Sequence, residues 1–127
     1  MRALLDTHVF LWAIIEDRRL SRAHREIYRD AASELYLSVA SIWEMLIKSA
    51  LGKLPLPAPA APYIARQMEA NRVDSLPIRL PHLIALEELP PVHRDPFDRM
   101  LVAQARAEGI PIVSSDPELR KYDVEVL

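Results

Sequence analysis

Short apolar runs separated by helix-patterned segments set the limits of this fold. Ala3-Leu4-Leu5, Leu35-Tyr36-Leu37, Val73 to Ile78 and Ile110 to Val113 read as strands. Strands that alternate with helices predict a three-layer α/β/α domain, with a central parallel sheet of about four to five strands. Val124 to Leu127 is the candidate fifth strand, and Pro77 places the third near an edge. The 127 residues are expected to form one domain, 1–127, able to bury roughly 65–70% of its unfolded surface.

Local signals mark the helices. Val9 to Ile15 is apolar nearly all round, so it is buried on several sides or covered by a partner. Ser21 starts a charged helix to about Ala32. Ser38 caps one from Val39 to about Leu51, stopped by Gly52. The Pro-rich stretch 54–62 reads as a stiff loop that delivers a helix from about Tyr63 to Asn71. Leu80 to Glu88 is a short helix. Asp95 as N-cap with Pro96 first opens the best-patterned one, which runs to Glu108 and stops at Gly109.

Composition excludes several classes. Half the residues are hydrophobic and only two are glycine, which suits a packed core. With no cysteine there is no disulfide, thiolate metal site or cysteine nucleophile, and a cytoplasmic setting is expected. No apolar run nears the ~20 residues of a membrane span, and the N-terminus lacks the pattern of an export signal. A net charge of −2 exerts no general pull on nucleic acid. Any such role needs a local arrangement of Arg and Lys.

Four carboxylates stand where chemistry is done in such sheets. Asp6 follows the first strand, and ligands gather at the carboxyl ends of strands. An acid there forfeits hydration and needs a cation or donors. Helix capping by Asp6 or Thr7 weighs about equally. Asp116 repeats the pattern after Ile112-Val113-Ser114-Ser115, with capping slightly favoured because Pro117 follows. Asp98 falls in the third helical position, where the dipole favours an acid by about 0.3–1 kcal/mol. It also tops the apolar face of Leu101, Val102 and Ala105, so an inward-facing role leads. Glu44 lies past the first turn of its helix, where capping cannot explain it, and an exposed pair with Lys48, worth ~0.2–0.5 kcal/mol, weighs about equally with a site role. Gathered on one rim, four acids would repel one another unless cations are present. Oxygen-only ligands suit Mg²⁺ or Mn²⁺, ions that make a nucleophile from water and stabilise an in-line phosphate displacement.

These residues resemble a PIN domain, and within it the VapC-type toxin nucleases of toxin–antitoxin pairs. The resemblance rests on Leu4-Leu5-Asp6-Thr7-His8, Ser38 to Met45 with Lys48, His93 to Ala105, and Ile112 to Asp116. It implies Asp6, Glu44, Asp98 and Asp116 as an acidic metal site supported by Thr7 and Ser115. It further implies Mg²⁺-dependent endonucleolytic cleavage of RNA, a cognate antitoxin that covers the pocket, and a homodimer. On that footing Asp6 and Asp98 hold the principal ion, with Glu44 and Asp116 completing its shell. The products would be a 5′-phosphate and a 3′-hydroxyl. Asp95 is a second acid close to Asp98 with which it could exchange roles.

The remaining residues divide between two roles each. Lys48 holds the attacking water or a phosphate, or simply pairs with Glu44. Arg99 touches RNA or lies on a solvated helix face. His8 and His93 are assigned to hydrogen bonding or structure. Trp43 and Phe97 read as core or interface residues, and Trp12 as core or a dimer or antitoxin contact. Lys53, Arg66 and Arg72 are available to track a phosphate backbone, with ordinary surface charge the safer assumption. The rival functions are a catalytically silent PIN-like module that binds RNA or protein and, further behind, an acidic-pocket receiver domain. The receiver needs an acid pair after the first strand, where this chain has one Asp.

Overall fold

The computed structural model describes residues 1–92 and 94–127; His93 lies outside the described residues. Strands β1 (Arg2–Leu5), β2 (Glu34–Ser38), β3 (Val73–Leu76) and β4 (Ile112–Val113) pair in parallel in the order β3-β2-β1-β4. The helices are α1 (Thr7–Ile14), α2 (Arg22–Arg29), α3 (Val39–Ala50), α4 (Ala60–Ala70), α5 (Leu80–Glu87) and α6 (Pro96–Glu108), followed by a 3₁₀ turn at Pro117–Lys121.

Strand alternation sends successive side chains to opposite faces. Ala3, Leu5, Leu35, Leu37 and Val113 pack on one side with Val9, Phe10, Met45, Ile64 and Met68, which come from α1, α3 and α4. Leu4 and Ile112 pack on the other with Leu101, Val102 and Ala105 of α6 and with Leu119 and Tyr122. Leu4, Leu5 and Leu37 are wholly buried, and each such side chain contributes roughly 1.5–3 kcal/mol. These are the three expected layers.

The differences from expectation have local causes. β3 stops at Leu76, before Pro77, and is an edge strand as expected. β4 begins after Pro111, which has no N–H to add to a ladder. The expected fifth strand is a single parallel bridge between Val126 and Ile112. Helix α4 starts earlier than expected, because Pro62 falls in its first turn, where the missing N–H costs no helical bond. Among the described residues no helix is long and apolar enough to cross a membrane.

The connections decide where a site can form. From β1 through β2 to β3 the chain steps one way across the sheet; from β3 it returns past β1 to lay down β4. Strand order therefore reverses between β1 and β4, the place where open α/β sheets leave a crevice at their carboxyl ends.

Candidate functional site

Asp6 is the first residue beyond β1, and its N–H still donates to the Val113 carbonyl at 3.0 Å. It occupies the N-cap position of α1, yet its side chain makes no capping hydrogen bond. Its Oδ2 instead accepts from Ser114 Oγ at 2.6 Å. The side chain is thus committed across the sheet. Only 5% of Asp6 is exposed. Burial pushes its carboxyl above the ordinary value of 3.8, opposed by the Ser114 hydroxyl and by the nearby His8 ring and amide, and reinforced by the charge of Asp116.

Ser114, not Ser115, is the hydroxyl that supports Asp6. Leu5 pairs with Val113, so the next residue of each strand falls beside the other. Ser114 is buried and its Oγ also accepts from the Asp116 N–H at 3.0 Å. Ser115 is exposed and joins Asp6, His8, Trp12 and Asp116 around a cleft of about 310 Å³. Asp116 opens the 3₁₀ turn, where its Oδ1 accepts from the Glu118 N–H at 2.9 Å. The capping role expected for it is present, on the wall of the same cleft.

Glu44 is anchored on the other side of the β1–α1 junction. Its Oε1 accepts from Thr7 Oγ1 at 3.0 Å and its Oε2 from Lys48 Nζ at 2.9 Å. The Glu44–Lys48 pair exists but is not the exposed pair expected: the glutamate side chain is 8% exposed and the lysine 43%. Thr7, itself buried and next to Asp6, ties the start of α1 to α3.

Asp98 lies in the first turn of α6, half-buried, and Asp95 is the cap. Asp95 Oδ1 accepts from the N–H groups of Phe97 at 2.8 Å and Asp98 at 3.4 Å. Phe97 meets Trp43 edge-on, with ring centroids 5.5 Å apart. That contact brings together the residues next to Asp98 and Glu44. The Arg99 guanidinium donates to the carbonyls of Pro90 at 2.9 Å and Leu89 at 3.4 Å, and to Tyr122 Oη at 3.4 Å. It braces the entry to α6.

Among the described residues, no group of three or more His, Asp or Glu side chains is placed to hold one metal ion. Un-neutralised carboxylates repel, and here the Lys48 ammonium and the hydroxyls of Thr7 and Ser114 meet their charge instead. What the edge does offer is Asp6 and Asp116 on one cleft. That oxygen-only pair fits a hydrated hard cation, which uses one or two carboxylates and keeps its waters. It does not form a closed cage.

The PIN domain family model matches residues 3–125. Ribonuclease VapC16 of Mycobacterium tuberculosis (strain ATCC 25618 / H37Rv) is 40% identical over 58 residues, which are 46% of this chain. The chain spans 40% of that relative's length. Among solved structures, VapBC2 from Rickettsia felis, bound to a DNA fragment from their promoter, superposes with a TM-score of 0.71 at 11% identity, over 100% of this chain and 98% of that one. FitAcB from Neisseria gonorrhoeae gives 0.66 at 19% identity, covering 98% and 96%. At these identities the two structures speak for the fold.

Proposed function

This chain belongs to the PIN domain family, and from that premise we propose that it is a metal-dependent endoribonuclease acting as the toxin of a toxin–antitoxin pair. The observation that carries this reading is Asp6: a buried carboxylate at the point where strand order reverses, held by Ser114 and facing Asp116 across one cleft. Ribonucleases of this family use divalent ions, and we take Mg²⁺ or Mn²⁺ as the cofactor here.

Such an ion, when bound, activates water and offsets the charge of the phosphate under attack. The residues' own parts follow from their positions. Asp6 and Asp116 present anionic oxygens to the cleft, and Ser114 keeps the Asp6 carboxylate oriented and favours its ionised form. Thr7 and Lys48 hold Glu44 fixed. Asp98 contributes its carboxylate from the first turn of α6, and Ser115 offers a hydroxyl on the cleft wall. The domain is 1–127, in the cytoplasm, and its partners are an RNA substrate, a cognate antitoxin and a second copy of the chain. An exposed apolar ridge along α3 and its end (Val39, Trp43, Ile47, Leu51) suits such protein contacts.

One observation favours the rival, a silent RNA- or protein-binding scaffold: no three acids converge among the described residues. Incubating RNA with the parent, Asp6→Asn and Asp98→Asn, with and without Mg²⁺, separates the two. Metal-dependent cleavage lost in both variants, with 5′-phosphate ends, supports the nuclease. Equal activity in all three removes it, and 2′,3′-cyclic phosphate ends contradict the mechanism.

A further inference from the structure

A second cleft, of about 490 Å³, opens beside the acidic one and shares His8 and Trp12 with it. Leu11, Trp12 and Leu56 give it an apolar lining, and Arg19, Lys48 and Lys53 stand on it; among the described residues no carboxylate lines it. Arg19 and Lys48 are there with their own counter-ions, Asp17 and Glu44, while Lys53 adds a cation in no ion pair with the described residues. Positive charge over an apolar floor fits a polyanion that carries a flat apolar group, as a nucleotide does: phosphate for the cations, base for the ring.

The arrangement is preset. The Arg19 guanidinium lies 5.3 Å from the centroid of Trp12, and Asp17 grips it through two bonds of 3.0 and 2.7 Å. Those same bonds hold the Asp17 carboxyl down at about 2, so the grip stays charged through neutral pH. A guanidinium over an indole forms a stack that a base extends. Lys48 spends one bond on Glu44 and has two further donors. Lys53 is exposed and forms no ion pair with the described residues.

We propose that this second cleft is the subsite for the RNA nucleotide flanking the cleaved bond, with its base against Trp12 and Arg19 and its phosphates on Lys48 and Lys53. The inference rests on the nuclease reading and adds a direction to it. The strand leaves the acidic edge past His8 and Trp12 toward Lys53 and Leu56, not toward Arg66 and Arg72, which do not line the cleft.

The test uses intrinsic fluorescence. Trp43→Phe leaves Trp12 as the sole indole, and a chelator prevents cleavage. Titration with a short single-stranded ribo-oligonucleotide of mixed sequence is expected to quench Trp12. Lys53→Ala is expected to weaken binding roughly three- to tenfold and to flatten the plot of log affinity against log salt by about 0.7. Binding with unchanged Trp12 emission and an unchanged salt slope in Lys53→Ala overturns the subsite while leaving the nuclease reading intact. Quenching by an amphipathic Glu/Leu peptide, with the oligonucleotide inert, overturns it in favour of a protein occupant. RNA binding absent from every variant removes both readings together.

Discussion

Ser114 Oγ donates to Asp6 Oδ2 at 2.6 Å, joining residues 108 positions apart across the β1–β4 junction. The same oxygen accepts from the Asp116 N–H. One hydroxyl therefore sets both acids of the cleft, and it does so where strand order reverses.

Ser114→Ala removes a charge-assisted bond to a buried carboxylate, a change of about 1.5–3 kcal/mol while Asp6 is ionised. Because this bond lowers the Asp6 pKa, its loss raises that value further. Urea denaturation at neutral pH should register the destabilisation, and the acid limb of the activity profile should move to higher pH. Ser114→Thr, which keeps a hydroxyl, should restore part of both.

Asp6→Asn should abolish cleavage and stabilise the fold. Burial raises this carboxyl above its ordinary value, so the group's contribution to stability is fully present below the unfolded pKa and is lost as pH rises through the folded one. Above the folded pKa the ionised side chain is a liability that the amide removes, and the melting midpoint should rise there by about a few degrees. A lower midpoint above that pKa would contradict the account of Asp6.

Lys48→Met leaves Glu44 buried with the Thr7 hydroxyl as its remaining hydrogen-bond donor among the described residues. Since the lysine is 43% exposed, solvent screens the pair, and the cost should be about 1 kcal/mol rather than that of a fully buried ion pair. Adding Glu44→Gln should recover most of it, and a double-mutant cycle in urea measures the coupling.

Divalent ions should stabilise the parent by mass action, by about 2.7 kcal/mol at one hundred times Kd. Thermal scans with Mg²⁺ or Mn²⁺ should show a rise in the parent that Asp6→Asn largely lacks. Equal shifts in both would place the ion elsewhere.

Gly109 ends α6 with φ +66, and a Cβ there would meet nothing within 4 Å. Gly109→Ala should therefore cost about 1 kcal/mol from backbone strain alone, with nuclease activity unchanged. Calorimetry beside an activity assay checks both halves.

Local chemistry made most of the fold legible. Ser38 and Asp95 cap their helices, Pro96 and Gly109 bound α6, and Pro77 ends an edge strand, all through interactions within a few residues. Helix α4 begins earlier than its sequence suggests because Pro62 lies in the first turn, where it does no harm. The carbonyl acceptors of Arg99, Pro90 and Leu89, were not legible because they lie nine and ten residues back in sequence, outside the helix that carries it.

The sequence by itself determined the layered parallel sheet, the acids at strand ends and helix starts, and the likeness that names the family. Only the tertiary structure decided that Asp6 leaves its helix uncapped for Ser114, that Glu44 is buried between Thr7 and Lys48, and that two clefts meet at Trp12. Patterning depends on neighbours three or four residues away, whereas these partners are chosen by strand register and by which helix lands on which face.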